Sequence, residues 1–219
     1  MCAVYEGNPR GVCLATNHGA TIVGYSISWL AVRGKDRDSV LAELGLRSTG
    51  RFEDVPESPV VGASLQSGWY LVFYNQFGGT KYRPESLSLG CELMTCDVEE
   101  HVMCFHVQAW QNGVRRWQVA HDSQQPDGLF HLDAEGDLPS EFSGIRDARM
   151  AEQQTSEDCD YVAEIPLQLA KNITGFKHDD SFESAMDKPF EALETIAPAS
   201  TWNLRGFLSA IGLGERGKQ

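Results

Sequence analysis

Between His101 and His121 apolar and polar residues alternate on both sides of a single tight-turn signal. His101-Val-Met-Cys-Phe-His-Val-Gln-Ala-Trp110 leads into Gln111-Asn112-Gly113-Val114, and Arg115-Arg-Trp-Gln-Val-Ala-His121 returns. Asn-Gly between two strand-like runs specifies a type I′ hairpin, because both central residues must take positive φ. A two-residue loop sets Gln111 opposite Val114 and Trp110 opposite Arg115. Carried down an unbulged ladder, that register puts Cys104 across from His121 and His106 across from Val119. One face then holds Cys104, His106, Gln108, Trp110, Arg115, Trp117, Val119 and His121. A bulge would rotate one strand and scatter this set.

The same reading along the chain gives the other elements. Tyr25, Ile27, Trp29 and Ala31 alternate with Ser26, Ser28, Leu30 and Val32, which predicts a strand partly buried on both faces. A short helix follows over 35–44, with Asp36 or Asp38 as N-cap and Gly45 as the left-handed residue that ends it. Pro56 and Pro59 among serines and glycine read as loop over 47–63. The aromatic run 68–75 predicts a central strand, Gly78-Gly79 a turn, and Arg83-Pro84 the start of one helical turn. Strands at 91–99, 101–110, 114–121 and 128–133 have the short connections of an antiparallel meander. Helices are expected from 138 to about 153, from Ile165 to Gly175, and near Phe182–Leu193. Trp202-Asn-Leu-Arg-Gly-Phe-Leu is expected to dock back on the body. The fold class is α+β: an antiparallel meander sheet of about six strands, helices on one face, and a helical C-terminal part. Residues 1–22 show no period and read as a dispensable N-terminal extension, leaving 23–219 as one domain.

Composition narrows the function. No apolar run approaches the ~20 residues of a membrane span. The first residues lack the basic start and apolar core of a secretory signal, which argues for the cytoplasm. Six cysteines, at 2, 13, 91, 96, 104 and 159, match neither a dense disulfide framework nor the C-x2-C spacing of zinc sites. They read as buried or half-buried thiols in a reducing compartment. The formal charge is −13, and it is concentrated: Asp122 to Lys188 holds sixteen acids against five bases. Such a field repels nucleic-acid phosphates and steers a basic partner.

Two functions follow from these residues. The first is a non-catalytic cytoplasmic protein that binds a basic protein, in the manner of an acidic inhibitor or immunity protein. Trp110, Trp117 and Arg115 would anchor the partner, since tryptophan and arginine dominate binding hot spots. Asp133, Glu135, Asp137 and Glu141 would steer it. The alternative is a hydrolase in which Cys104, His106 and His121 form a thiol–imidazole nucleophile or, with Asp122 or His131, a metal centre. Neither an orienting group nor an oxyanion hole accompanies that set. No cofactor or resident metal is expected. Asn172-Ile173-Thr174 matches a glycosylation sequon that has no consequence without secretion.

Overall fold

In the computed structural model the described residues are 12–13, 24–79, 82–182, 185–186 and 188–196. After β1 (Val12–Cys13), β2 (Ser26–Arg33) sends Ile27, Trp29 and Ala31 to one face and Leu30 and Val32 to the other. Helix α1 (Arg37–Leu44) is capped where the sequence predicts. The Asp36 carboxylate accepts from the Ser39 N–H at 3.0 Å, and Gly45 closes the helix at φ 66°. Next come β3 (Leu46–Glu53), β4 (Val60–Ser64), β5 (Tyr70–Tyr74) and the single turn α2 (Pro84–Leu87). The meander follows as β6 (Glu92–Glu99), β7 (Cys104–Gln111), β8 (Val114–Asp122) and β9 (Asp133–Gly136). The chain then forms α3 (Glu141–Gln153), β10 (Cys159–Asp160), α4 (Glu164–Thr174) and β11 (Phe190–Thr195).

Nine strands make one antiparallel sheet in the order β3-β11-β4-β5-β2-β6-β7-β8-β9, and β1 pairs with β10 apart from it. The fold is therefore α+β, but with nine strands rather than six. The helices also lie on both faces. Phe142 of α3 and Ile165, Leu167 and Leu169 of α4 cover Trp29, Phe73, Phe105 and Val107. On the opposite face Val40 and Leu41 of α1 and Leu87 of α2 cover Leu30, Val32, Val72 and Leu93. Strands β2 and β5 are buried on both sides, so one helical layer could not have kept them dry.

Three further expectations give way. The loop over 47–63 contains β3, which is largely exposed and has no apolar alternation to betray it, and the start of β4. The helix near 182–193 is replaced by β11, held between β3 and β4 despite its helix-favouring Glu, Ala and Leu. That slot offers ladder bonds on both edges, and tertiary pairing overrides weak propensity. The strand over 128–133 is a 3-10 turn at Gly128–Phe130, with β9 beginning only at Asp133. The segment around Trp202 lies outside the described residues.

The 104–122 hairpin turns as predicted, with Asn112 at φ 52° and Gly113 at φ 81°. Gln111 faces Val114 and Trp110 faces Arg115. Beyond that pair the register shifts: Ala109 faces Trp117, Val107 faces Val119 and Phe105 faces His121. Arg116 is the extra residue of a β-bulge. Its carbonyl accepts from the Asp137 N–H at 2.8 Å. Gly136, at φ 89°, faces Trp117 across the β8–β9 ladder, and a Cβ there would run into the Arg116 carbonyl. Glycine is thus required twice over, by conformation and by space. We expect Gly136→Ala to cost upwards of about 2 kcal/mol. The urea midpoint should fall at unchanged slope; an unshifted midpoint would show that β9 does not hold the bulge.

Candidate functional site

The bulge decides which side chains meet. Every residue of β8 past Arg116 is turned over relative to an unbulged ladder. His121 therefore joins Phe105, Val107, Trp117 and Val119 on the face beneath α3 and α4, and is fully buried. Cys104 and His106 point to the other face. The sequence-predicted cluster of Cys104, His106 and His121 is split across the sheet. Trp110 and Arg115 remain together on the second face, whereas Trp117 is core.

That second face is uncovered over β7 to β9 and over the Asp97–Glu99 end of β6, while Leu93 and Thr95 of β6 are buried. Its residues are half-exposed or exposed where their neighbours in sequence are buried, as the alternation of β7 shows. Two cross-strand rows build it. Ser26, Glu99, Cys104 and Asp122 form one; Asp97, His106, Ala120 and Asp133 form the other, which continues into the buried Ser28. Beside them runs a directed chain of hydrogen bonds. Trp110 Nε1 donates to Gln108 Oε1 at 3.2 Å, Gln108 to Gln118 Oε1 at 3.3 Å, and Gln118 to Glu135 Oε2 at 3.0 Å. Arg115 donates to the same Glu135 oxygen at 3.2 Å. His106 Nε2 also meets Gln118 Oε1, at 3.4 Å. Asp137 and Glu141 are exposed beyond β9; Asp137 accepts from Arg116 at 2.8 Å and Glu141 from Ser140 at 3.1 Å.

The chemistry of these groups is that of acceptors. Ser28 donates its proton to Asp97 and accepts from Gly78 N–H at 2.9 Å, so its oxygen is engaged. In its row Asp97 stands between Ser28 and His106, the reverse of a relay in which imidazole must touch the hydroxyl. Burial pushes the Cys104 thiol up, and the carboxylates of Asp122, Asp97 and Glu99 push it further. A nucleophilic cysteine needs the opposite surroundings. Hydrogen bonds from Gln125 and the Gln124 N–H hold Asp122 below the usual carboxylate range, and Ser26 and His101 do the same for Glu99. Both carboxylates are charged at neutral pH. Among the described residues no three His, Cys, Asp or Glu side chains converge as metal ligands.

On the buried side His121 has a structural setting. Its Nδ1 donates to the His131 carbonyl at 2.7 Å, and its Nε2 meets Asp160 Oδ2 at 2.8 Å. Asp160 Oδ1 accepts the Ala163 N–H at 3.0 Å, just ahead of α4. The pair ties β8 to β10 and to the start of α4. His131, the further ligand candidate, accepts the Asp122 N–H through Nδ1 at 2.9 Å.

Sequence reasoning missed Ser28, Asp97, Glu99 and the Gln108–Gln118 ladder. The signal for Asp97 and Glu99 was available, since they are polar members of the strand that pairs with β7. Ser28 enters from β2, one strand further away, and Gln118 reaches the face only through the bulge. Comparison with protein-family models, curated proteins and solved structures finds no match to this chain. No helix among the described residues is long and apolar enough to cross a membrane.

Two measurements check this arrangement. His121→Ala leaves Asp160 buried and unpaired, and unfolding free energy should drop by about 3–5 kcal/mol. A loss under about 1 kcal/mol would show that the pair does not tie β8 to α4. Alkylation of Cys104 at pH about 8 should run slower than that of an exposed model thiol. Asp122→Asn, by removing one carboxylate, should accelerate it, and an unchanged rate would contradict the electrostatic cause.

Proposed function

We propose that the protein acts by binding, without catalysis, and that the uncovered face of β7 to β9, with the Asp97–Glu99 end of β6, receives a basic protein surface. The observation that carries this reading is the charge of the face. Asp97, Glu99, Asp122, Asp133 and Glu135 stand on it, and its arginine, Arg115, is already bonded to Glu135. A partner bringing lysine or arginine finds fixed acceptors there. Nucleic-acid phosphates meet the same charge and are repelled. The acidity of the face and of the whole chain suits an inhibitor of the immunity kind, one that caps a basic toxin or enzyme. Trp110, held at one end of the glutamine ladder, supplies an amphipathic anchor of the type enriched in hot spots. Catalysis is disfavoured because the candidate nucleophiles are engaged or suppressed and the two histidines point apart.

A fluorescent oligolysine probe tests the reading. Its affinity should weaken steeply as salt rises from about 0.05 to 0.3 M, through loss of on-rate. Reversing Asp133 and Glu135 together to lysine should weaken it by about tenfold or more at low salt. Reversing the exposed Asp147 and Glu152 of α3 should change it little. Equal effects from the two double variants would mean diffuse attraction to an acidic molecule, and the face would lose its assignment.

A further inference from the structure

Three of the cysteines, Cys91, Cys96 and Cys104, carry free thiols. Cys159 differs, for its sulfur is disulfide-bonded, contrary to the expectation that all six are thiols. It opens β10, and the β1–β10 ladder sets Cys13 directly opposite it, with Val12 opposite Asp160. Facing residues of an antiparallel ladder have Cα atoms about 4.5–5.5 Å apart, within the separation a disulfide bridges. We propose that Cys13 and Cys159 are joined as a cross-strand disulfide that latches β1 to β10. The assignment is independent of the binding function proposed above.

The position of the latch gives it meaning. The residue after Cys159 is Asp160, whose two carboxylate oxygens hold His121 of β8 and the Ala163 N–H before α4. The crosslink therefore sits next to a residue bonded both to the large sheet and to the start of α4. The free thiols are badly placed to compete. Cys91 is buried between α2 and β6, Cys96 is buried in the sheet, and Cys104 opens on the face opposite the His121–Asp160 pair. Closing the latch joins the two sulfurs, with loss of two protons and two electrons. A small-molecule disulfide such as oxidised glutathione takes up the electrons and leaves as two thiols. Reduction reverses the exchange, so β1 is held to β10 covalently under oxidising conditions and by its ladder alone under reducing ones.

Peptide mapping of the full chain decides the matter. The protein is equilibrated in glutathione buffers from strongly reducing to strongly oxidising, quenched with iodoacetamide, and digested with trypsin without reduction. Cleavage isolates Cys13 in peptide 11–33 and Cys159 in peptide 150–171, each with a single cysteine. At the oxidising end the two should appear as one linked mass; at the reducing end both should be alkylated separately. Cys159 alkylated throughout, bound only to glutathione, or linked to the Cys2 peptide would overturn the assignment. In Cys13→Ser the linked mass should vanish and Cys159 should become alkylatable; an intramolecular disulfide surviving at Cys159 in that variant would equally overturn it.

Discussion

The architecture depends on one conflict within the 104–122 hairpin and on how the backbone resolves it. Asn112-Gly113 demands a two-residue loop, which on a regular ladder would set Val107 opposite Gln118. The apolar pattern demands something else: Phe105, Val107 and Ala109 must share a face with Trp117 and Val119, or the core would receive Arg116 and Gln118 instead. Burial of a large apolar side chain is worth about 1.5–3 kcal/mol, and two such side chains depend on the choice. One extra residue in β8 satisfies both demands, so the turn keeps its type and the strand beyond Arg116 turns over. Gly136 then lets β9 close against the displaced Arg116 carbonyl. The bulge thus keeps an arginine out of the core with the least disturbance to the ladder.

From this point the two sides of the sheet diverge. Beneath α3 and α4 the sheet is dry, and the ionisable pair admitted there is satisfied: His121 and Asp160 bond each other and the backbone around them. The indole N–H groups of Trp29 and Trp69 in the same core, by contrast, have no hydrogen-bond partner among the described residues. On the other side α1 and α2 cover only the part of the sheet built by Leu30, Val32, Val72 and Leu93. The rest of that side, over β7 to β9 and the Asp97–Glu99 end of β6, is left to water. Its side chains are short polar and acidic groups bonded laterally across the strands, which keeps an exposed sheet face ordered without an apolar cover. A face of this kind presents charge in fixed positions, the property on which the proposed binding role rests.

The same division explains why reactive residue types yield no reactive site. The Ser28 hydroxyl is buried and spends its proton on a hydrogen bond to Asp97, and the Cys104 thiol on the open face is pushed up by burial and by the carboxylates beside it. His121, which could have served as a base, is on the far side of the sheet holding α4 in place. Oxidation chemistry is relegated to Cys159, at the margin of the fold.

Local events were legible along the chain. Helix α1 with its Asp36 and Gly45 ends, the I′ turn, the buried β5, the span of α3 and the C-terminal end of α4 at Gly175 all follow from caps, turn residues and periodicity, which act over a few residues. The acidic balance of the second half was equally plain. Even the bulge left a trace, because a ladder that faces Val107 with Gln118 and Phe105 with Ala120 contradicts its own pattern. Long-range packing supplied what local signals cannot carry. It recruited polar β3 and helix-prone β11 into strands, because ladder bonds come from neighbours distant in sequence. It placed helices on both faces and left half of one face bare. It also separated His121 from Cys104, since one residue of slip inverts a strand and only the completed core fixes where the slip occurs.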